Sequence, residues 1–325
     1  SLLPILYCRF SIADSLSRMF CLRSHESRIL SQLAFVAVST IMSFSVLQKS
    51  PHGLMNQPNI DDISRLQQWA ARQLADYDAR QPGMLFAEGL VLNVAQGYAL
   101  QSAVAELRLQ RGEQIAGYKV GCTSKKIRDQ LGIDHCVTGR LFDSEQHSSG
   151  SVLSRREFAN LAIEGELGIE LWREPSAEDF LSDGIPACVG RVFPVIELHH
   201  HVMRGEQPSA GELIANNAIH AGLVCGGGVG TESATGSDLG RDSETSLSIF
   251  ADDRILGECR GNVLVQTIRS SLEWLVEVLR DRNERLCAGQ VVLTGSIPNL
   301  FSIEEDCRIR VNTSPFGSVD VRFVA

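Results

Sequence analysis

The segment 163–172, IEGELGIELW, carries the acidic residues whose spacing is best suited to chemistry. Glu164 and Glu166 stand two positions apart, so in a β-strand their side chains share one face, with Cα atoms roughly 6.6 to 6.8 Å apart. Two carboxylates at that separation can bind one hard cation, because Mg²⁺ prefers oxygen ligands. The alternative is a solvated sheet face, since alternating strands commonly expose one side.

Glu197 is the candidate for a third carboxylate. It follows the apolar run 193–196, where an acid is unusual for a buried strand. We therefore expect it to complete a metal-binding set with Glu164 and Glu166.

The residues 199–201 are three consecutive histidines, and since strand neighbours point to opposite faces, at most two can share a site. Surface or loop positions are the simpler interpretation of these histidines.

Lys119 lies between two glycines in the segment 117–134, GYKVGCTSKKIRDQLGID. Tyr118 and Val120 flank it, so a strand here points the lysine away from its two large neighbours. The glycines on either side would let a substrate approach the amine closely.

The run 291–296, VVLTGS, is an apolar strand that ends in Gly295 and Ser296. A strand that ends in this way can present free backbone N–H groups and a hydroxyl to a carboxylate or enolate oxygen. An ordinary turn is the alternative, because Gly-Ser commonly follows a strand for that reason alone.

Strands and helices that could position these residues follow from the hydrophobic pattern. Two helices are predicted before residue 113, an amphipathic one near 63–77 and a second from about 88 to 111. Further helices are predicted at LIANNAIHAGLV, behind a capping-box pattern of Ser209 and Glu212, and from about Ile268 to Arg282. Strands are predicted at 115–120, 166–172, 192–198, 247–251, 290–294, 307–311 and 319–324. Clustered strands with inserted helices indicate an α+β fold.

Composition narrows the classes of function. The chain has 325 residues, 44% of them hydrophobic, and a net charge of −9. No basic run interrupts the body of the chain, which argues against nucleic acid and favours a small-molecule partner. The nine cysteines contain no C-x-x-C pair, so we expect free thiols in a reducing, cytoplasmic setting.

The first 55 residues differ from the rest. Their apolar run, 33–47, has 15 residues, fewer than the roughly 20 that a spanning helix needs. It is either a targeting segment or upstream sequence that the cell does not use. We predict an N-terminal extension at 1–55, a helical region at 56–112 and a β-rich catalytic domain at 113–325, which has no membrane-spanning stretch.

Seven motifs together resemble the 2-keto-4-pentenoate hydratase and 4-oxalocrotonate decarboxylase group of the fumarylacetoacetate hydrolase superfamily. The resemblance runs from about residue 63 to residue 324. Its motifs are GYKVGCTSKKIRDQLGID at 117–134, GRLF at 139–142, EGELGIEL at 164–171, PVIEL at 194–198, NNAIHAG at 216–222, VVLTGS at 291–296 and GSVDVRF at 317–323. Several motifs in the family's order are more specific than any one alone. The implied fold is a helical N-terminal region followed by a mixed β-sheet roll with inserted helices.

The resemblance also implies a chemistry. Family members hold Mg²⁺ or Mn²⁺ with three carboxylates, which here are Glu164, Glu166 and Glu197, and the metal chelates the carboxylate and 2-oxygen of a short 2-oxo or 2-hydroxydienoic acid. Lys119 falls at the family's pocket lysine, where a desolvated amine beside a cation can have its pKa lowered enough to move a proton. Ser296 and Gly295 fall at the substrate-binding turn. We further expect a homo-oligomer.

The chain departs from the hydratase pattern at three places. Val137 stands at or near a position where hydratases carry an acid, and the histidines 199–201 replace the usual acid and serine. Ile219 and His220 replace small hydroxyl residues, and His220 is either a substitute acid/base or a core histidine. We expect a metal-dependent hydratase of 2-hydroxy-2,4-dienoates. A 2-oxo acid decarboxylase, an acylpyruvate-type C–C hydrolase, and a non-enzymatic binding subunit of a hydratase–decarboxylase complex stay open, as does a membrane-tethered or exported protein.

Overall fold

A computed structural model of the chain describes residues 60–202, 209–231 and 245–325. The predicted N-terminal extension, with the apolar run 33–47, lies outside these residues. No helix in the described ranges is both long enough and apolar enough to cross a membrane.

Three helices precede the first strand: α1 (Ile60–Asp78), α2 (Met84–Ala87) and α3 (Val94–Gln110). The prediction that the second long helix begins at residue 88 was wrong. Asn93 is its N-cap, because the Asn93 side chain accepts a hydrogen bond from the Gln96 backbone N–H at 2.9 Å and the Gln96 side chain accepts one from Asn93. This capping box sets the start of α3 six residues later.

The rest of the described chain folds into two sheets with three further helices. The strands are β1 (Ile115–Gly121), β2 (Val137–Phe142), β3 (Gln146–Ser148), β4 (Ser151–Ser154), β5 (Leu161–Leu171), β6 (Val189–His200), β7 (His220–Cys225), β8 (Val229–Gly230), β9 (Ser246–Ala251), β10 (Arg254–Arg260), β11 (Val291–Leu293), β12 (Phe301–Ser302), β13 (Cys307–Ser314) and β14 (Gly317–Val324). The helices are α4 (Lys125–Leu131), α5 (Ala210–Ala215) and α6 (Val263–Asp281). The predicted α+β class is confirmed, and each of the seven predicted strands is present with somewhat different ends.

The larger sheet holds the chemistry. Its strand order is β2-β1-β11-β5-β6-β7-β3, with β12 and β8 attached at β5 and β6. The smaller sheet has the order β10-β9-β13-β14-β4. Strands β5 and β6 are the longest neighbours, and their antiparallel register pairs Glu164 with Glu197 and Glu166 with Val195.

The apolar faces of β5 and β6 form the main core. Ile163 and Ile169 of β5 are buried in one cluster with Ile196 and Leu198 of β6, with side chains of the smaller sheet and with the inner face of α6. Because side chains alternate along a strand, burying this face turns Glu164, Glu166 and Glu197 to the opposite face. The core therefore fixes which residues share the acidic side.

The segment 213–224 corrects a prediction. It was predicted to be one helix, but α5 ends at Ala215 and His220–Cys225 is strand β7, paired with β6. Ser209 makes no side-chain cap hydrogen bond. Between them Asn217, Ala218 and Ile219 all have positive φ, at 55°, 52° and 57°. A left-handed run of non-glycine residues ends the helix, and pairing with β6 outweighs the helical pattern of the sequence.

Candidate functional site

Strands β1, β5, β6 and β7 bring five of the predicted site residues together. Glu164 and Glu166 come from β5, Glu197 from β6, Lys119 from β1 and His220 from β7. All but Glu164 are buried, and the Glu164 side chain is 22% exposed. The group therefore reaches solvent at Glu164. It is called the site cluster below, together with His199.

Glu197 lies at the centre of the site cluster and has no exposed surface. Its Oε1 lies 3.1 Å from Nζ of Lys119 and 2.7 Å from Nδ1 of His220. Its Oε2 has no hydrogen-bond partner among the described residues. One oxygen of Glu197 is thus held by two side chains, and the other remains available.

Glu166 has the same division between its two oxygens. Its Oε2 accepts the Gly295 backbone N–H at 2.5 Å, whereas Oε1 has no hydrogen-bond partner in the described part of the chain. The Gly295 N–H, predicted to be free for a substrate oxygen, is therefore already engaged. A buried carboxylate needs such a donor, which explains why the turn after β11 serves Glu166.

Ser296 lies against β5 between the two glutamates. Its Oγ lies 2.8 Å from the Pro298 carbonyl oxygen and 3.2 Å from that of Gly165. A hydroxyl has one proton, so its donor is shared by these two carbonyls. Contact between Ser296 and a substrate remains a prediction.

Lys119 is 4% exposed, and its Nζ donates to the Ala218 carbonyl oxygen at 3.3 Å. The glycines around it serve close packing. A Cβ at Gly139, its partner on β2, would lie 2.9 Å from Cγ of Lys119, and a Cβ at Gly121 would lie 3.7 Å from Nζ. Gly117 has a different role, because a Cβ there would collide with the Val291 carbonyl oxygen of β11.

The left-handed turn at 217–219 positions that carbonyl. Asn217 clamps the turn to β2, since its Oδ1 accepts the Arg140 N–H at 2.7 Å and its Nδ2 donates to the Arg140 carbonyl at 2.8 Å. Positive φ is costly for residues with a Cβ, and such strain persists only where surrounding contacts hold it. The backbone at Ala218 is thus a built part of the lysine environment, which the sequence alone did not reveal.

The charges of the site cluster shift one another's pKa values. Burial lowers the pKa of Lys119, but the charges of Glu197, Glu164 and Glu166 outweigh it, so the pKa lies above the ordinary value. Burial and the neighbouring Glu197 raise the pKa of Glu166 well above its ordinary value. Although burial raises the pKa of Glu197, the Lys119 charge, His199 and His220 hold it well below its ordinary value. The sequence analysis predicted a lowered pKa for Lys119. That lowering requires a cation among these carboxylates, because its positive charge would oppose their effect on the lysine pKa.

The prediction of surface or loop positions was wrong for His199 and His200, whereas His201 is exposed as predicted. His199 and His200 are both buried, at 1% and 5% exposure, rather than lying on the surface. They point to opposite faces of β6. The Nδ1 of His200 accepts the Ala159 backbone N–H at 3.0 Å, and burial lowers the pKa of His200 to about 4, so its ring is neutral. His199 shares the face of Glu197, as the two-residue spacing between them on a strand requires.

The donor set fits a divalent cation. Buried carboxylate oxygens without donors, here Oε1 of Glu166 and Oε2 of Glu197, are costly unless a cation or a hydrogen bond satisfies them. Glu164, Glu197 and His199 each offer one ligand atom, and these atoms all lie within 4.8 Å of one another. Oxygen and nitrogen donors this close can be gathered around one ion.

The wall beside Lys119 is apolar. Val137, which stands at or near the expected acid, is fully buried and packs with Ile214, Ala218 and Ile219. A Cβ at Gly121 would lie 3.2 Å from Cγ2 of Val137 and 3.7 Å from Nζ of Lys119, so the methyl group and the amine both flank this glycine.

A pocket that is open to solvent lies beside the left-handed turn. Tyr77, Arg108 and His200 line it, and it touches the turn through Asn217 and Ile219. The carboxylates of the site cluster are not part of its lining. A smaller pocket is lined by Glu166 and Gly295.

Comparison with known proteins gives a consistent result. No family model matches the chain. A 2-keto-4-pentenoate hydratase of Burkholderia vietnamiensis is 24% identical over 229 residues, which cover 70% of this chain and 84% of that protein. A 4-oxalocrotonate decarboxylase of Pseudomonas putida is 25% identical over 235 residues, covering 72% of this chain and 86% of that protein.

Among solved structures, 4-oxalocrotonate decarboxylase from Pseudomonas putida G7, complexed with magnesium and adipate, superposes with a TM-score of 0.70 at 21% identity. It covers 83% of this chain and all of that chain. This likeness shows the fold. The resemblance predicted from the motifs is therefore confirmed: the chain is similar in sequence to 2-keto-4-pentenoate hydratases and to a 4-oxalocrotonate decarboxylase, and it shares the α+β fold of the decarboxylase.

Proposed function

We propose that the protein is a metal-dependent hydratase that converts a 2-hydroxy-2,4-dienoate to a 4-hydroxy-2-oxo acid. One observation carries the proposal. The buried amine of Lys119 lies 3.1 Å from Glu197, at the edge of a group of carboxylates that have unpartnered buried oxygens. Relatives named 2-keto-4-pentenoate hydratase, which match over most of their length, support the same reaction.

Glu164, Glu166 and Glu197 are the residues proposed to hold the cation, Mg²⁺ or Mn²⁺. A divalent ion at these carboxylates stabilises negative charge that develops on the 2-oxygen of a bound keto acid. Structures of a related fold were solved with magnesium and with calcium, which supports a divalent ion at this place.

The remaining residues are proposed to move protons and hold the substrate. Lys119 donates the proton that C5 of the dienol takes up as the substrate becomes a 2-oxo-3-enoate. The Nδ1–H of His220 donates to Glu197, which leaves Nε2 as an unpartnered acceptor for the proton of the enol hydroxyl. Water then supplies oxygen to C4 and a proton to C3. Ser296 and Gly295 are proposed to line the substrate at the turn beside β5, with the Gly295 N–H held by Glu166 rather than donated to the substrate.

The apolar wall favours hydration of a dienoate with a short apolar end. An apolar end can pack against Val137 and Ile219 without leaving a polar group buried and unpaired. The decarboxylase remains the second candidate. Val137 provides no acid beside Lys119 to direct water, and a decarboxylase is among the relatives of similar identity.

The test is the ultraviolet absorbance of 2-hydroxypenta-2,4-dienoate mixed with the full chain and Mg²⁺, followed by addition of a chelator. We expect the dienol absorbance to fall, a 4-hydroxy-2-oxo acid to form, and the chelator to stop both. Release of CO₂ from 4-oxalocrotonate, without hydration of the dienoate, would establish the decarboxylase instead. Cleavage of an acylpyruvate would establish the hydrolase.

Other expectations remain predictions. A homo-oligomer is tested by light scattering of the eluted protein, and the boundaries after residues 55 and 112 by limited proteolysis. The cytoplasmic location is tested by cell fractionation. A binding-subunit role predicts that the pure protein is inactive and copurifies with a relative that is active.

A further inference from the structure

We propose that His199 is a ligand of the divalent cation through Nε2, together with Glu164 and Glu197, and that the site consequently prefers a transition metal ion to Mg²⁺. The inference rests on the metal site of the proposed function but not on the hydration reaction. It adds a nitrogen donor to a site so far described through its carboxylates.

Geometry is the first support. His199 lies two positions after Glu197 on β6, so both side chains share the acidic face of the sheet. Its Nε2 lies 3.3 Å from Oε2 of Glu164 and 3.6 Å from Oε2 of Glu197. Ligands on adjacent corners of an octahedron lie roughly 3 Å apart when metal–ligand bonds are about 2.1 Å. The three atoms therefore need only small movements to surround one ion.

The second support is the lack of other partners. His199 is 1% exposed, and neither Nδ1 nor Nε2 makes a hydrogen bond to any described residue. The two other buried histidines nearby are bound differently: Nδ1 of His200 accepts the Ala159 N–H, and Nδ1 of His220 contacts Glu197. A buried imidazole without a hydrogen bond is unusual, and a metal ion would satisfy its nitrogen.

The chemistry of the ligands determines which metal ion the site prefers. Carboxylates suit Mg²⁺, Ca²⁺ and Mn²⁺, whereas imidazole suits Fe²⁺, Co²⁺, Ni²⁺ and Zn²⁺. Mg²⁺ usually keeps water molecules in its remaining positions rather than exchanging one for a nitrogen. An imidazole nitrogen beside the proposed carboxylate ligands therefore favours a transition metal ion, such as Mn²⁺, Fe²⁺ or Co²⁺, over Mg²⁺.

The competing explanation is an ion pair. A protonated His199 would also lie within 4 Å of Glu164 and Glu197, and it would neutralise part of their charge. The two explanations differ in what happens when metal is added. A ligand acquires a bond to the ion, whereas an imidazolium is repelled by it.

The experiment is pulsed electron paramagnetic resonance on the full chain, stripped of metal and loaded with Mn²⁺. We expect a nitrogen coupling typical of directly bound imidazole. His199→Gln should abolish it, whereas His200→Gln, the same change on the opposite face of β6, should retain it. Calorimetry should show that His199→Gln weakens Mn²⁺ binding by about 10- to 100-fold, and Mg²⁺ binding by less than about threefold.

The wild-type spectrum decides the question even if a variant fails to fold. Bound Mn²⁺ without a nitrogen coupling would overturn the inference and leave the proposed hydratase standing. A coupling that persists in folded His199→Gln would assign the nitrogen to another residue and would also overturn it. A wild-type protein that binds no divalent ion would overturn both this inference and the metal site of the proposed function.

Discussion

Two groups of buried charges in this protein are held in opposite ways. The arginine cluster consists of Arg108 with Glu113, Glu145, Ser144 and Tyr77, at the junction of α1, α3 and the end of β2. Arg108 bonds to Glu113 at 2.5 Å and to Glu145 at 2.7 Å, and Tyr77 donates to Glu145. Ser144 donates to Glu113 at 2.6 Å. Almost every polar atom is paired, with Oε2 of Glu145 left over.

The site cluster leaves five buried polar atoms without a hydrogen bond to described residues. They are Oε1 of Glu166, Oε2 of Glu197, both ring nitrogens of His199 and Nε2 of His220. Charges in a folded core normally end in mutual pairing, as in the arginine cluster. The difference indicates that the arginine cluster stabilises the fold, whereas the site cluster is arranged to bind a ligand that the protein does not itself supply.

Removing one charge from the site cluster should have the largest effect on activity. Glu166→Gln keeps the shape of the side chain and should abolish Mg²⁺-dependent turnover, by about 10³-fold or more, because a proposed metal ligand is lost. Glu170→Gln is the matched control, since Glu170 lies on the same face of β5 but pairs with Arg191 at 2.6 Å. It should retain turnover within about twofold. Wild-type turnover in Glu166→Gln would refute the metal assignment and remove the contrast between the clusters.

Lys119→Met should separate proton transfer from metal binding. We expect kcat to fall about 10²- to 10⁴-fold, as is typical when a general acid is removed. Mg²⁺ affinity measured by calorimetry should be retained, because the carboxylates remain. A large loss of affinity would mean that the amine organises the carboxylates rather than serving as the acid.

Arg108→Met should have the opposite effect, because it should lower stability without lowering turnover. It leaves Glu113 and Glu145 without their shared partner, so the free energy of unfolding should fall by about 3 to 5 kcal/mol, as measured by urea denaturation. Turnover per folded molecule should be unchanged. Arg308→Met, which removes the more exposed ion pair with Asp320, should cost at most about 1 kcal/mol. A loss of turnover in folded Arg108→Met would show that the arginine cluster also serves the reaction.

The arginine cluster should also impose a pH dependence on stability. Despite burial, which raises the pKa of Glu113, hydrogen bonds from Arg108, Ser144 and Arg111 lower it to about 2. A carboxyl with a depressed folded-state pKa stabilises the protein above its unfolded-state pKa of about 4.3 and loses that contribution as pH falls toward 2. The unfolding free energy of Glu113→Gln, measured between pH 5 and 2.5, should therefore fall less steeply with acid than that of the wild type. Equal slopes would contradict the shift.

The sequence predicted the face shared by Glu164 and Glu166, the burial of Glu197 and the strand carrying Lys119. These follow from alternation, since strand residues two apart share a side and apolar neighbours mark the buried one. The turn at 217–219 could not be predicted, because its residues fit a helical period and only the pairing of β7 with β6 overrides it. Nor could the engagement of Gly295 be predicted, since it depends on a carboxylate 129 positions away in the chain.

His199 illustrates a different limit of prediction from sequence, which concerns burial. Alternation already placed it on the face of Glu197, yet three adjacent histidines carry no sign of burial in their own letters. Burial is decided by what covers the strand. A histidine becomes a site residue through its neighbours in space, and those neighbours come from β5 and β7.

The pairing of Glu164 with Glu197 across β5 and β6 has a consequence for how such a protein can change through evolution. The separation of the Cα atoms that carry these carboxylates is set by backbone hydrogen bonds along two strands, not by loops. Substitutions in a helix can accumulate without changing this separation. A single-residue insertion or deletion within either strand would turn every following side chain over and exchange acidic residues for apolar ones. Lineages of this fold are therefore expected to vary in length at the loops and helices while keeping these two strands free of insertions and deletions.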